Sequence, residues 1–158
     1  MSGGTLLCAD YQMKLNDFYG NATQKWQLIY KATKNGFDAE DFHRCADNKG
    51  PTMTVIQVGT GDYLFGGYAQ ISWGSDNKYK ADPAAFIFTL TNPHGIQPTK
   101  FFKNPGHQKV ESIAVAGRSG RNRTPSDRHN RLTTVKFVLP ILSDIATPPR
   151  KISLYNIN

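Results

Sequence analysis

Glycine and proline interrupt this chain so often that no long regular element fits between them. Fourteen glycines and nine prolines are spread over 158 residues, and the longest unbroken apolar stretch, 137–142, itself contains Pro140. Such punctuation favours short strands joined by turns over a helical bundle. A stretch so short is also far from the ~20 apolar residues of a membrane span. With 39% hydrophobic residues, the chain has a globular balance. A length of this order buries roughly two-thirds of the unfolded surface, so a single domain over 1–158 with its own core is expected.

The pattern between the breaks is mostly that of strands. Residues 8–18 carry a weak helical stripe at Tyr11, Leu15 and Phe18. Trp26, Leu28, Tyr30 and Ala32 fall on alternate positions and predict one face of a strand. Asp38 stands where a helix N-cap belongs, with Asp41 at the acid position of a capping box. Phe37 and Phe42 flank it as a hydrophobic staple, so a short helix over 39–46 is expected. The β-branched run 52–58, the return strand 63–71 after a glycine-rich turn, and 86–90 read as further strands. Gly66-Gly67 inside the second of these suggests a bulge or a close backbone approach. Residues 100–103, 110–116 and 133–139 complete the expected antiparallel set.

No catalytic constellation stands out among these elements. His43 and Cys45 lie two apart on the expected helix, so their side chains diverge, and neither a metal nor a cofactor is expected. Ser72, Ser112 and Ser119 lack a nucleophile elbow; Gly117-Arg118-Ser119-Gly120 misses its second glycine by one position. The acids Asp38, Glu40 and Asp41 are accounted for by the dipole at a helix start. The chain is therefore not expected to be an enzyme.

Charge separates two regions. Residues 1–95 hold 8 Lys+Arg against 9 Asp+Glu, whereas 96–158 hold 11 against 3, so net charges of −1 and +8 make up the overall +7. Arg118, Arg121, Arg123, Arg128 and Arg131 fall within fourteen residues. Five guanidinium groups on a loop would give salt-sensitive binding to phosphates or another acidic surface. His129 is the only aromatic ring among them, whereas single-strand binders interleave stacking aromatics. A solvated basic loop is the plainer reading, and nucleic-acid binding through 118–131 is the alternative. Met1-Ser2-Gly3-Gly4 has neither the charged nor the apolar region of a secretory leader. Cys8 and Cys45 are too few for a disulfide framework. The expectation is a soluble, cytoplasmic protein.

One ordered string of motifs is more specific than any of its parts. Trp26-Gln27-Leu28-Ile29-Tyr30, Gly36-Phe37, Phe42-His43-Arg44, Gly50-Pro51-Thr52, Phe65-Gly66-Gly67-Tyr68, Trp73 and Asp82-Pro83-Ala84-Ala85-Phe86-Ile87-Phe88 follow one another over 17–116. In order and spacing this string resembles a TLDc domain. The resemblance implies an α+β, mainly β fold, a sandwich of two antiparallel sheets flanked by short helices. Trp26, Gly36, Phe37, Phe42, His43, Gly50, Pro51, Thr52, Phe65, Gly66, Gly67, Trp73, Asp82, Pro83, Phe86 and Phe88 would be its mainly structural motif residues. It also implies a non-catalytic protein-interaction module linked to oxidative-stress protection and to binding of the vacuolar proton-pumping ATPase. Residues 117–158 depart from the family as a divergent basic tail: the glycine-rich Gly-Pro-Thr-Phe-Gly segment is missing. The family's closing strand is represented by Ile152-Ser153-Leu154-Tyr155.

Overall fold

The computed structural model describes residues 6–58, 63–75, 81–102 and 151–157. The strands expected at 110–116 and 133–139, the turn at 59–62 and the arginine run at 118–131 lie outside them. The described chain is α+β and mainly β. Helix α1 (Ala9–Tyr19) is followed by strand β1 (Trp26–Lys31), the one-turn helix α2 (Ala32–Asn35) and helix α3 (Ala39–Ala46). Then come β2 (Thr52–Val58), β3 (Tyr63–Ala69), β4 (Phe86–Thr91), β5 (Thr99–Phe102) and β6 (Lys151–Ile157). All six strands form one antiparallel-paired sheet in the order β1-β6-β2-β3-β4-β5. The described residues contribute this one sheet, which is compatible with the expected sandwich.

Side-chain alternation sends two cores to opposite faces of the sheet. On one face, Leu15 and Phe18 of α1 pack with Trp26, Met53, Val55, Leu64, Tyr68, Phe86, Phe88, Leu90 and Tyr155. On the other, Phe42 and Ala46 of α3 pack with Tyr30, Ile56, Val58 and Leu154. Every side chain of β2 is buried, which is why its sequence reads as a continuous β-branched run rather than an alternating one.

The alternation expected across Trp26, Leu28, Tyr30 and Ala32 breaks at a bulge. Leu28 pairs with Tyr155 while Tyr30 pairs with Leu154, so Ile29 is the extra residue. Trp26 and Leu28 keep to the α1 face, and Tyr30 moves to the α3 face. A one-residue insertion reverses every later side chain, and no periodicity within the strand announces it. Ala32 belongs to α2, not to the strand.

At Gly66-Gly67, close approach is the operative cause, and no bulge is present. The β2–β3 register runs unbroken through Val55↔Gly66 and Thr54↔Gly67. The irregularity on the β4 side falls earlier, between Leu64 and Phe65. A Cβ on Gly66 would sit 1.9 Å from the Thr54 carbonyl oxygen and 2.8 Å from Cζ of Phe88.

The two longer helices end and begin differently. α1 closes on Gly20, in the left-handed region at φ +90, whose N–H donates to Asn16 O at 2.9 Å. α3 starts at Asp38, but the expected capping box is not formed. Asp38 contributes its backbone carbonyl, which accepts from the N–H groups of Asp41 and Phe42 at 3.1 and 3.2 Å, and its carboxylate makes no cap. Asp41 turns its own carboxylate to Arg44 Nη2 at 2.7 Å. An Asp side chain is one methylene shorter than the Glu that reaches back in a capping box. Phe37 packs against the cluster that holds Phe42, as a staple requires.

Candidate functional site

The motif residues gather in two places, one on each face. The richer one surrounds α3. Phe42, almost fully buried, meets Tyr30, Trp73 and His43 edge-on at centroid distances of 5.3, 5.2 and 5.6 Å. These are favourable T-shaped pairs. Trp73 Nε1 donates to the buried Thr52 hydroxyl at 2.8 Å, satisfying a polar atom that the apolar cluster would otherwise strand. The Trp73 segment also forms a parallel bridge with Asp47, and the Asn48 N–H donates to Trp73 O at 3.2 Å. Phe65 packs against the same cluster.

Polar groups close around the end of α3. His43 Nδ1 lies 2.7 Å from Asp47 Oδ1, and Ser75 Oγ donates to Asp47 Oδ2 at 2.5 Å. The carboxylate stands between the hydroxyl and the imidazole. A nucleophilic serine needs the base itself as its acceptor, so this order of groups pins a loop to a helix and does not activate Ser75. Gly50, at φ +74, donates its N–H to Ser72 Oγ at 2.9 Å, tying the turn through Pro51 to the same loop. Gly36, at φ +110, offers its carbonyl to the Tyr30 hydroxyl at 2.8 Å, and a Cβ there would meet the Asp41 carboxylate.

The second gathering is on the α1 face. Trp26 Nε1 donates to Asn16 Oδ1 at 2.7 Å, and the Asn16 amide donates to the carbonyls of Ala22 and Gln24 at 3.1 and 3.0 Å. Tyr68 and Phe86 stack at 5.0 Å. Phe88, wholly buried, lies against Gly66. Lys100 Nζ sits 4.1 Å from the Phe86 ring centre and donates to Phe18 O, a carbonyl of the last turn of α1. Burial lowers the ammonium's pKa from its ordinary value. Asp82 spends its carboxylate on backbone: Oδ2 accepts from Gln70 and Ile71 at 2.7 and 3.0 Å, and Oδ1 from Ala84 at 3.1 Å. Pro83 lies in the turn that the Ala85 N–H closes onto Asp82 O.

The one expected set of motif residues is thus split between the faces, with Phe42, His43, Thr52, Phe65 and Trp73 on one and Trp26, Phe86 and Phe88 on the other. The sequence reading does not single out Asn16, Asp47, Ser75 or Lys100, and it weighs Ser72 only as a nucleophile, whereas its hydroxyl holds the Gly50 N–H. The i,i+4 spacing of His43 and Asp47 was a readable signal, as was an asparagine inside a helical stripe. Lys100 gave none. Among the described residues no three or more His, Cys, Asp or Glu side chains gather as a metal site. None of their helices is long and apolar enough to cross a membrane. Cys8 and Cys45 are free thiols, the first exposed and the second half-buried. Arg118, Arg121, Arg123, Arg128 and Arg131 lie outside the described residues.

The sequence is similar to known proteins. The family model described as TLDc domain matches residues 4–115, taking in α1 as well as the motif string. The MTOR-associated protein MEAK7 of Mus musculus is 27% identical over 67 residues, and its Gallus gallus counterpart 32% over 69. Each alignment covers 42% of this chain and 14% of the relative, so the match spans a small part of those longer proteins.

Proposed function

The chain belongs to the TLDc domain family, and from that premise we propose that it is a non-catalytic protein-interaction module that docks on a large cytoplasmic assembly. The observation that carries this reading is where the motif side chains are spent. His43, Thr52, Trp73 and Asp82 each hold backbone or a neighbouring side chain of the same fold. A motif that builds a scaffold leaves recognition to the surface the scaffold presents. The relatives named as MTOR-associated are proteins whose name records an association with another protein. For this chain we carry over only that class of role, a protein partner.

The resemblance points to the vacuolar proton-pumping ATPase as that partner and to oxidative-stress protection as the setting. The test is capture of the assembled pump by the full chain, set against an unrelated protein of equal net charge. Enrichment that persists at physiological salt supports the proposal; enrichment no greater than the control overturns it. Replacing Arg118, Arg121, Arg123, Arg128 and Arg131 by serine separates the other reading. If those changes abolish a steeply salt-dependent binding to nucleic acid, the +8 region between 96 and 158 is the functional part instead.

A further inference from the structure

β6 runs antiparallel to both β1 and β2, so β1 and β2 are parallel to each other with a gap one strand wide between them. Two inter-strand spacings set that gap at about 10 Å. Both walls come from one local stretch, 26–58, joined through α2 and α3, which pack over one face of it. The occupant comes from much further along, with residues 103–150 between β5 and β6. It is addressed to both faces: Leu154 enters the core under α3 and Tyr155 the core under α1. Ser153 between the walls is buried too, and the Asn156 amide donates to Lys49 O, fixing the register at the mouth. Among the described residues β1 has no strand partner other than β6.

We propose that the gap between β1 and β2 is a strand-acceptor site that takes β6 from a second copy of this chain, giving a reciprocal strand-exchanged dimer. The inference is independent of the function proposed above. A neighbour's β6 presents the same backbone ladder, the same Leu154 and Tyr155 and the same Asn156 amide. Every contact described for β6 is therefore reproduced in trans. In the unfolded chain from which β6 is delivered, closing a connection this long costs only logarithmically more than closing a short one, so a chain's own strand has little advantage over a neighbour's. An empty acceptor exposes the facing edges of β1 and β2, a template that another strand fills.

The experiment uses full chains in a Cys8→Ser, Cys45→Ala background. One carries Gln27→Cys and the other Asn156→Cys, a facing pair across β1 and β6; the two are refolded together and oxidised. A disulfide-linked heterodimer is expected, its yield rising with refolding concentration. It should exceed a control pair carrying Gln27→Cys and Glu40→Cys several-fold. A yield equal to the control, while the two cysteines placed in one chain close internally, overturns the proposal. Isotope-labelled and unlabelled wild-type chains refolded together give a second readout free of cysteine geometry. Mixed-isotope dimers that survive dilution support exchange, and monomers alone refute it.

Discussion

At the scale of single residues, Gly50 is held by conformation, Gly66 by space and Gly36 by both. Gly50 is left-handed, at φ +74, with nothing within 4 Å of where a Cβ would stand. Gly50→Ala therefore meets only the backbone penalty, about 1–2 kcal/mol. Gly66 has a Thr54 carbonyl oxygen and the Phe88 ring in that place, and neither the central strand nor a wholly buried ring can retreat. Gly66→Ala is expected to cost about 3 kcal/mol, a fall of roughly 6–12 °C in Tm for a chain of this size. Thermal melts of the two variants side by side check the order; equal losses would mean that β2 and β3 yield easily. Trp73→Phe keeps the ring contact with Phe42 but strands the buried Thr52 hydroxyl, and should cost about 1–2 kcal/mol. Adding Thr52→Val should recover part of that loss, because both polar partners are then gone, and a double-mutant cycle measures the coupling.

Between residue and molecule, the elements differ in how far the sequence disclosed them. β2 and α3 were legible because their signals are local: a β-branched run in one, Phe37 and Phe42 around Asp38 in the other. The alternation in the sequence puts Tyr30 on the wrong face because the bulge at Ile29 is a relation between β1 and β6, not a property of either strand. β6 itself was visible as Ile152-Ser153-Leu154-Tyr155, but its place between β1 and β2 was not, since nothing in four residues encodes a partner about a hundred positions away. The ring cluster around Phe42 and Trp73 could be read as motif residues, whereas the hold of Asp82 on three backbone N–H groups could not, because donors on the main chain leave no trace in side-chain identity. The interior position of β6, between β1 and β2, predicts an outsized cost for a small change there. Leu154→Ala empties a fully buried site in the α3 core and should cost about 2–5 kcal/mol, read as a lower urea midpoint. A loss below about 1 kcal/mol would show that the surroundings collapse to fill the void.

The molecule as a whole carries a built-in response to alkali. Burial pushes the phenol of Tyr68 up to about 12, with Tyr19 as the next contributor. Burial also raises Tyr30, which Asp41 reinforces, and Tyr155. In each case the folded protein holds a proton that the unfolded chain releases near its ordinary value of 10.0. Stability should therefore be unaffected by these groups up to about pH 9 and fall as pH rises beyond about 10. Denaturation midpoints along a pH series, read beside the near-ultraviolet absorbance of phenolate, test this. A midpoint that holds steady while all phenols ionise would contradict it. The order in which the parts are made has its own consequence. During translation, Val58 leaves the ribosome long before Lys151, and at roughly 5–20 residues per second about 5–20 s pass between them. Once β5 has emerged as well, the nascent sheet has strands on both sides of an empty position, so whatever shelters the emerging polypeptide must guard an unfilled groove until the last stave of the wall is delivered.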